Sequence, residues 1–187
     1  MKNLIEKSLS SEDVYKGVLL NIKKDIVELP NGKTSVREYV LHPGAVVVVA
    51  FLPNGNIFLE RQFRFPSKEV FIELPAGKID PGETLDTTAS RELAEETGYY
   101  PNKLEYIGKL LPGIGYTNEI IHIYKADDLE KREVKCDDDE FLEIFDVPFE
   151  EAFEMVMSGK IVDAKSMIAI FMMKEKFSQK DTKLPQN

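Results

Sequence analysis

The chain has 187 residues, 43% of them hydrophobic and 30% charged, an ordinary composition for a globular protein. At about 150 residues per domain, this length predicts one domain with a small appendage. The 24 basic and 33 acidic residues give a net charge of −9, which argues against nucleic-acid binding because phosphate contacts dominate such affinity. The single cysteine, the lack of a signal-peptide pattern and the short apolar runs predict a cytoplasmic protein that does not enter membranes.

The N-terminal region has the pattern of a small β segment. Residues 14–29 mix apolar and polar positions in a strand-like way, and residues 36–41 form a second short strand. Asn31-Gly32 lies between them and favours a turn, since both residues readily supply positive φ angles. We therefore expect residues 1–42 to form a hairpin that buries little surface by itself.

The rest of the chain alternates strands with helices. Residues 45–52 are a continuous run of mostly β-branched residues, typical of a strand that is covered on both faces. Further strands are expected at 57–63, 69–74, 104–111, 119–126 and 140–147, and helices at 84–97, 149–158 and 164–177. This order predicts an α/β domain over residues 43–177, with a mixed sheet between helices. A polar tail, 178–187, follows.

The helix at 84–97 places two glutamates beside its apolar face. At 100° per residue, Glu92 and Glu96 fall in the same arc of about 100° as Leu85, Ala89 and Leu93. A solvated helix face would instead put the glutamates opposite the leucines. Carboxylates beside a buried stripe need a partner, and two of them at i and i+4 can share one cation. Oxygen ligands favour Mg²⁺ or Mn²⁺ over zinc.

The same stretch matches a known motif in full. Gly77 is followed after five residues by Glu83, and then after seven by the segment Arg91-Glu92-Leu93-Ala94-Glu95-Glu96-Thr97-Gly98-Tyr99. This 23-residue pattern resembles the complete Nudix box. The resemblance implies an α/β/α sandwich that carries a strand-loop-helix-loop metal site. It also implies hydrolysis of a nucleoside diphosphate linked to another moiety.

The resemblance assigns roles to individual residues. Glu92 and Glu96 match the main metal-ligating glutamates, and Glu95 matches a third that binds directly or through water. Ala76 matches a position whose backbone carbonyl joins the metal shell. Glu83 and Arg91 match a pair that braces the loop against the helix. A salt bridge between Glu83 and Arg91 is expected with or without the resemblance, because the family also gives this pair a structural role.

Segments outside the box are most similar to the ADP-ribose pyrophosphatases. His42-Pro43-Gly44-Ala45-Val46 and the segment ERQFRFP at 60–66 match that branch, in which the position of Arg64 meets the diphosphate. Arg37 and Glu38 resemble a pair that contacts adenine across a dimer interface. Tyr15 falls near an adenine-stacking aromatic, and a packed strand aromatic is the alternative. Glu119 matches a substrate-side acid, and a surface charge is the alternative.

Two further stretches bear on this branch. Its members carry Ser-Pro-Gly after the box, whereas here Ile114 stands at the proline position and Pro112 lies two residues early. The acidic run 137–140 matches a loop that closes over the metals. This match makes Glu140 an additional metal ligand and Asp138 a candidate base, and a solvated loop is the alternative.

The sequence therefore predicts a Mg²⁺-dependent hydrolase, with Mn²⁺ as a second possible metal, that converts ADP-ribose to AMP and ribose 5-phosphate. Glu95, Asp138 and Glu140 are its expected catalytic residues. The expected assembly is a homodimer. Hydrolysis of another nucleotide sugar, such as GDP-mannose, is the alternative within the same class. A catalytically silent module that senses ADP-ribose is the alternative of another class.

Overall fold

The structure, a computed structural model, describes residues 4–132 and 141–181 and divides into two compact units. The N-terminal unit contains residues 1–44 and 111–120. Its antiparallel sheet has the order β1-β2-β3, formed by Lys7–Lys16, Asn21–Glu28 and Thr34–Leu41. The predicted turn is present: Gly32, between β2 and β3, has a φ of 79°. The segment 111–120 lies beside β3, where Val40 forms a bridge with Thr117.

The prediction of a two-stranded hairpin is wrong, because the N-terminal sheet has three strands. Residues 14–29 do not form one strand, because residues 14–16 end β1 and β2 starts only at Asn21. The extra strand escaped detection because all ten residues of β1 are exposed. A strand that faces no core carries no alternation of apolar and polar residues, and that alternation is the signal by which strands are found.

The second unit contains residues 45–110 and 121–187 and is built on two sheets. The first has the order β7-β4-β9-β8, with strands Ala76–Lys78, Ala45–Ala50, Ile121–Lys131 and Tyr99–Leu110. The pair β4–β9 is parallel and the other pairs are antiparallel, so the sheet is mixed, as predicted. The second sheet, β10-β5-β6, is antiparallel and consists of Leu142–Pro148, Asn56–Arg64 and Glu69–Glu73.

Helices cover both faces of the mixed sheet. All six residues of β4 are buried, and they alternate between two hydrophobic clusters. Val46 and Val48 pack in the cluster that contains α1, Leu85–Thr97, while Val47 and Val49 pack with α2, Phe149–Met157, and α3, Ala164–Asp181. Burial on both faces explains the unbroken β-branched run. The α/β/α architecture, with a mixed sheet preceded by a small β-sheet, is confirmed.

The ends of α1 follow from local sequence. Thr84 caps the N-terminus, where its hydroxyl accepts a hydrogen bond of 3.2 Å from the Thr87 backbone N–H. Gly98 ends the helix with a φ of 75°, a conformation that glycine adopts without a side-chain penalty. Helix α3 continues to Asp181, four residues past its expected end at 177. In the described ranges, no helix combines the length and the apolar character needed to cross a membrane.

Candidate active site

Two glutamates of α1 converge on the backbone of β7. The Glu96 carboxylate accepts a hydrogen bond of 3.0 Å from the Ala76 N–H. The Glu92 carboxylate lies directly over Gly77, because a Cβ atom built on Gly77 would overlap it. A side chain at position 77 would force the Glu92 carboxylate to move. The structure therefore brings Glu92 and Glu96 together, as the helical periodicity predicts, and places both carboxylates at the Ala76–Gly77 backbone, as the resemblance implied for Ala76.

Arg91 braces the loop that enters α1. Its guanidinium donates hydrogen bonds of 2.9 and 3.0 Å to the two carboxylate oxygens of Glu83, and Thr88 donates a third, of 2.8 Å. The bonds from Arg91, and then the one from Thr88, lower the pKa of Glu83 to about 2. Arg91 Nη1 also lies 2.8 Å from Glu95 and 3.0 Å from Glu92. The predicted ion pair between Glu83 and Arg91 is thus present, and Arg91 also contacts Glu95.

The donors around Gly77 fit a hard divalent cation. Glu92 and Glu96 supply carboxylate oxygens over one short stretch of backbone, and oxygen-only donor sets suit Mg²⁺ and Mn²⁺. In residues 4–132 and 141–181, no group of three His, Cys, Asp or Glu side chains is arranged to hold a metal ion. Asp138 and Glu140, the other expected participants, lie outside the described residues.

A second charged cluster surrounds Arg64 at the end of β5. Arg64 donates hydrogen bonds of 2.8 and 2.7 Å to the two carboxylate oxygens of Glu73 in β6. Lys165, in the first turn of α3, contacts the same carboxylate and also lies 3.0 Å from Asp163. The sequence predicted Arg64 but missed Glu73 and Lys165. A glutamate in the apolar stretch FIELP was the available signal for Glu73.

The other expected substrate residues belong to the N-terminal unit. Tyr15 lies on β1, about half exposed, and its ring covers Gly17. Arg37 and Glu38 lie on β3, where the Arg37 Nε donates a hydrogen bond of 2.9 Å to Glu6. Each of these residues is placed on an exposed or partly exposed strand of its own unit.

The segment that contains Glu119 is fastened to the end of β3. The side-chain amide of Asn118 accepts a hydrogen bond of 2.7 Å from the His42 N–H and donates one of 3.3 Å to its carbonyl. The His42 Nδ1 accepts a bond of 3.1 Å from the Gly44 N–H and lies 3.7 Å from the Glu119 carboxylate. In these contacts His42 has a structural role, because it orders the chain next to Glu119.

Two family profiles match the chain. The NUDIX domain profile matches residues 41–168, and the profile described as the nucleoside diphosphate sugar hydrolase N-terminal domain matches residues 6–40. The crystal structure of an ADP compounds hydrolase superposes with a TM-score of 0.86 at 26% identity, covering 96% of this chain and 98% of the other. The two profiles meet close to the boundary between the N-terminal sheet and β4.

Proteins with related sequences span nearly the whole chain. The ADP-ribose pyrophosphatase of Bacillus subtilis is 44% identical over 174 residues, which cover 91% of this chain and 93% of that protein. The methanol dehydrogenase activator of Bacillus methanolicus is 40% identical over 167 residues, which cover 88% and 90%. With the intact box folded around Gly77, these similarities show that the chain belongs to the Nudix hydrolase family.

Proposed function

We propose that the protein is a Mg²⁺-dependent ADP-ribose pyrophosphatase, which hydrolyses the diphosphate of ADP-ribose to AMP and ribose 5-phosphate. The observation that carries the reaction type is the convergence of Glu92 and Glu96 on the Ala76–Gly77 backbone. The choice of ADP-ribose is supported by the relative named ADP-ribose pyrophosphatase, which is 44% identical over nearly the full chain.

Nudix hydrolases generally use divalent metals, and Mg²⁺ is the ion that we propose here. Glu92, Glu96 and the backbone carbonyl of Ala76 would hold it, with Glu140 as an additional ligand and Glu95 acting directly or through water. When bound by these residues, Mg²⁺ would supply positive charge to neutralise the diphosphate and polarise phosphorus, and it would lower the pKa of the attacking water. The protein holds the carboxylates of Glu92 and Glu96 close together at the Ala76–Gly77 backbone. Like charges held together cost free energy unless a cation neutralises them, and this favours metal binding.

Arg64 is proposed to bind the diphosphate. Its side chain is 43% exposed, and its hydrogen bonds to Glu73 use Nε and Nη2. The Nη1 nitrogen is therefore outside this pair and can donate to a phosphate oxygen, an interaction for which the guanidinium is well suited.

The base that accepts the proton of the attacking water is proposed to come from the acidic run 137–140. Asp138 is the candidate base and Glu140 the candidate ligand. Replacing either with its amide should lower kcat by roughly 10²-fold or more, the usual contribution of general base catalysis. The corresponding changes at Asp137 and Asp139 serve as matched controls and should have little effect. Small, equal effects at all four positions would instead indicate a solvated loop.

We propose that the active form is a homodimer in which Tyr15, Arg37, Glu38 and Glu119 contribute to nucleotide-sugar binding. Tyr15 is exposed on a strand whose ten residues are all exposed, which supports a role in stacking or assembly rather than in a core. The cytoplasmic location indicated by the single cysteine stays a prediction.

The test is a panel of nucleotide sugars and nucleoside triphosphates, measured with Mg²⁺ under identical conditions. We expect the highest kcat/KM for ADP-ribose, since specificity is a difference in transition-state binding. An equal or higher kcat/KM for GDP-mannose or another nucleotide sugar would overturn the substrate and leave the Nudix reaction in place. The sequence feature that argues against ADP-ribose is Ile114, which stands where the ADP-ribose pyrophosphatases carry a proline.

The same panel distinguishes an enzyme from a sensing module. Metal-dependent turnover that stops on addition of EDTA and returns with Mg²⁺ is expected for the hydrolase. Binding of ADP-ribose without any turnover would favour the silent module. The two carboxylates at Gly77 favour the hydrolase, because a protein that only binds ADP-ribose has no need of them.

A further inference from the structure

The cluster around Glu73 lines a pocket in the second unit. Its volume is about 380 Å³, and its walls combine β5, β6 and the start of α3. Arg64 and Lys165 provide positive charge there, and Glu73 lies between them.

Glu73 is a buried carboxylate with two cationic partners. Its side chain is 3% exposed, so an isolated negative charge would be very costly at this position. Burial alone would raise the pKa of Glu73, but the hydrogen bonds from Arg64 and the charge of Lys165 hold it below its usual value. A second buried carboxylate, Glu60, lies directly opposite Glu73 in the β5–β6 ladder and adds negative charge.

Lys165 is fixed from its own side of the pocket. Its side chain is 13% exposed and contacts both Glu73 and Asp163. The Asp163 carboxylate in turn accepts hydrogen bonds of 3.0 and 2.6 Å from the N–H and hydroxyl of Ser166. Lys165 is therefore held in the first turn of α3, with its ammonium group on the Glu73 carboxylate.

The two cations of this cluster differ in exposure. Arg64 reaches the solvent, whereas Lys165 is nearly buried. An anionic substrate can therefore draw on the guanidinium of Arg64 while the ammonium of Lys165 stays on Glu73. Without Lys165, Arg64 alone would have to neutralise the buried carboxylate, and less of its charge would remain for a phosphate.

We infer that Lys165 is a positioning residue for Arg64: it neutralises Glu73, so that the guanidinium can serve the diphosphate of the substrate. This inference rests on the proposed function and on the proposed role of Arg64. It assigns Lys165 no contact with the substrate, and its effect passes through the carboxylate of Glu73.

Lys165→Met should raise KM for ADP-ribose about tenfold and leave kcat within about twofold, because binding of the diphosphate is weakened while the reacting groups are unchanged. Lys165→Gln keeps a hydrogen-bond donor but removes the charge, and should give the same rise. Lys174→Met is the matched control, since Lys174 lies on the same helix and forms an exposed pair with Glu150. Melting temperatures show which variants are folded.

A double-mutant cycle with Glu73→Gln separates positioning from direct contact. If Lys165 acts through Glu73, adding Lys165→Met to Glu73→Gln should raise KM less than about twofold, since the charge it neutralises is gone. A full tenfold rise in both backgrounds would overturn the inference and indicate direct contact with substrate. An unchanged KM in folded Lys165→Met and Lys165→Gln would also overturn it.

Calorimetric titration with ADP and Mg²⁺ compares the affinity of the wild type and of Lys165→Met for a diphosphate without any turnover. Lys165→Met should weaken ADP binding about tenfold, and unchanged affinity would contradict the inference. If the wild type binds ADP but does not hydrolyse ADP-ribose, the proposed function fails while the role of Lys165 is still decided by this titration.

Discussion

At the scale of single residues, the site depends on how closely α1 approaches β7. Glu92 occupies the space that a side chain at position 77 would fill, and Glu96 accepts the Ala76 N–H. Both carboxylates are thus aimed at the same two residues of backbone. The charge on each carboxylate can be removed with little change in volume, which allows the proposed metal site to be tested separately from packing.

Glu96→Gln should abolish most turnover without unfolding the protein. The amide oxygen can still accept the Ala76 N–H, but the charge that attracts a cation is lost. We expect kcat/KM at limiting Mg²⁺ to fall by roughly 10²-fold or more, because a direct ligand should matter at least as much as the groups behind it. The exposed Glu175→Gln on α3 is the control. A rate near that of the wild type would refute the assignment of the metal site.

The ion pair between Glu83 and Arg91 predicts a specific acid response. The pKa of Glu83 is about 2 in the folded protein, below its ordinary value of 4.5, chiefly through hydrogen bonds from Arg91. Folding is therefore favoured by this group above pH 4.5, and that contribution is lost as the pH falls from 4.5 through 2. In urea titrations, Glu83→Gln should lower stability at pH 7 and flatten the decline across this window. An unchanged decline would show that other carboxylates cause it.

At the scale of elements, the start of α3 holds the segment between β6 and β7, which leads to the proposed metal site. Ser166 is fully buried, and its hydroxyl accepts a hydrogen bond of 2.8 Å from the Leu74 N–H. Leu74 stands two residues before Ala76, and Pro75 between them accepts a bond of 2.9 Å from Val48. The backbone that faces Glu96 is therefore held from α3 as well as from β4.

Ser166→Ala should destabilise the fold by about 1–3 kcal/mol, because the buried Leu74 N–H loses its acceptor. Ser178→Ala, which changes an exposed serine of the same helix, should alter stability by less than about 0.5 kcal/mol. Chemical denaturation of the two variants provides the comparison. Equal stability of both would mean that the Leu74 N–H finds another partner.

At the scale of the whole molecule, β1 stands out as an exposed strand in the part of the chain that the structure describes. Every residue of β1 is exposed, and Leu9, Val14 and Tyr15 each leave more than half of their surface accessible. Small sheets need a packed face for stability, and exposed apolar groups on one strand favour association. These features support the proposed homodimer.

Sedimentation at micromolar concentration should give about twice the monomer mass of 21.3 kDa. Val14→Asp should shift the equilibrium toward monomer, because it would bury a charge in the interface. Met157→Asp changes an exposed apolar residue at the end of α2 and should leave the dimer intact. A monomeric wild type would remove Arg37 and Glu38 from the proposed site.

The sequence by itself determined the features that depend on local pattern. The buried strand β4 follows from an unbroken apolar run, whereas the three helices and the glutamates beside the apolar face of α1 follow from helical spacing and end signals. The resemblance to the Nudix box singled out the proposed metal ligands before any contact was known. The sequence could not find β1, since that strand faces no core and has no alternation.

Only the tertiary structure decided which distant charges meet. Glu73 and Lys165 are 92 residues apart, and neither lies in a motif that links them. They come together because α3 starts beside the end of β6. Glu73 is buried there, so its negative charge is stable only when cations such as Lys165 and Arg64 neutralise it. Likewise, the Nudix box placed Gly77 and Glu92 in one motif, but the position of the Glu92 carboxylate over Gly77 became visible only once α1 was placed. Long-range pairing of this kind is set by packing, which local sequence patterns do not encode.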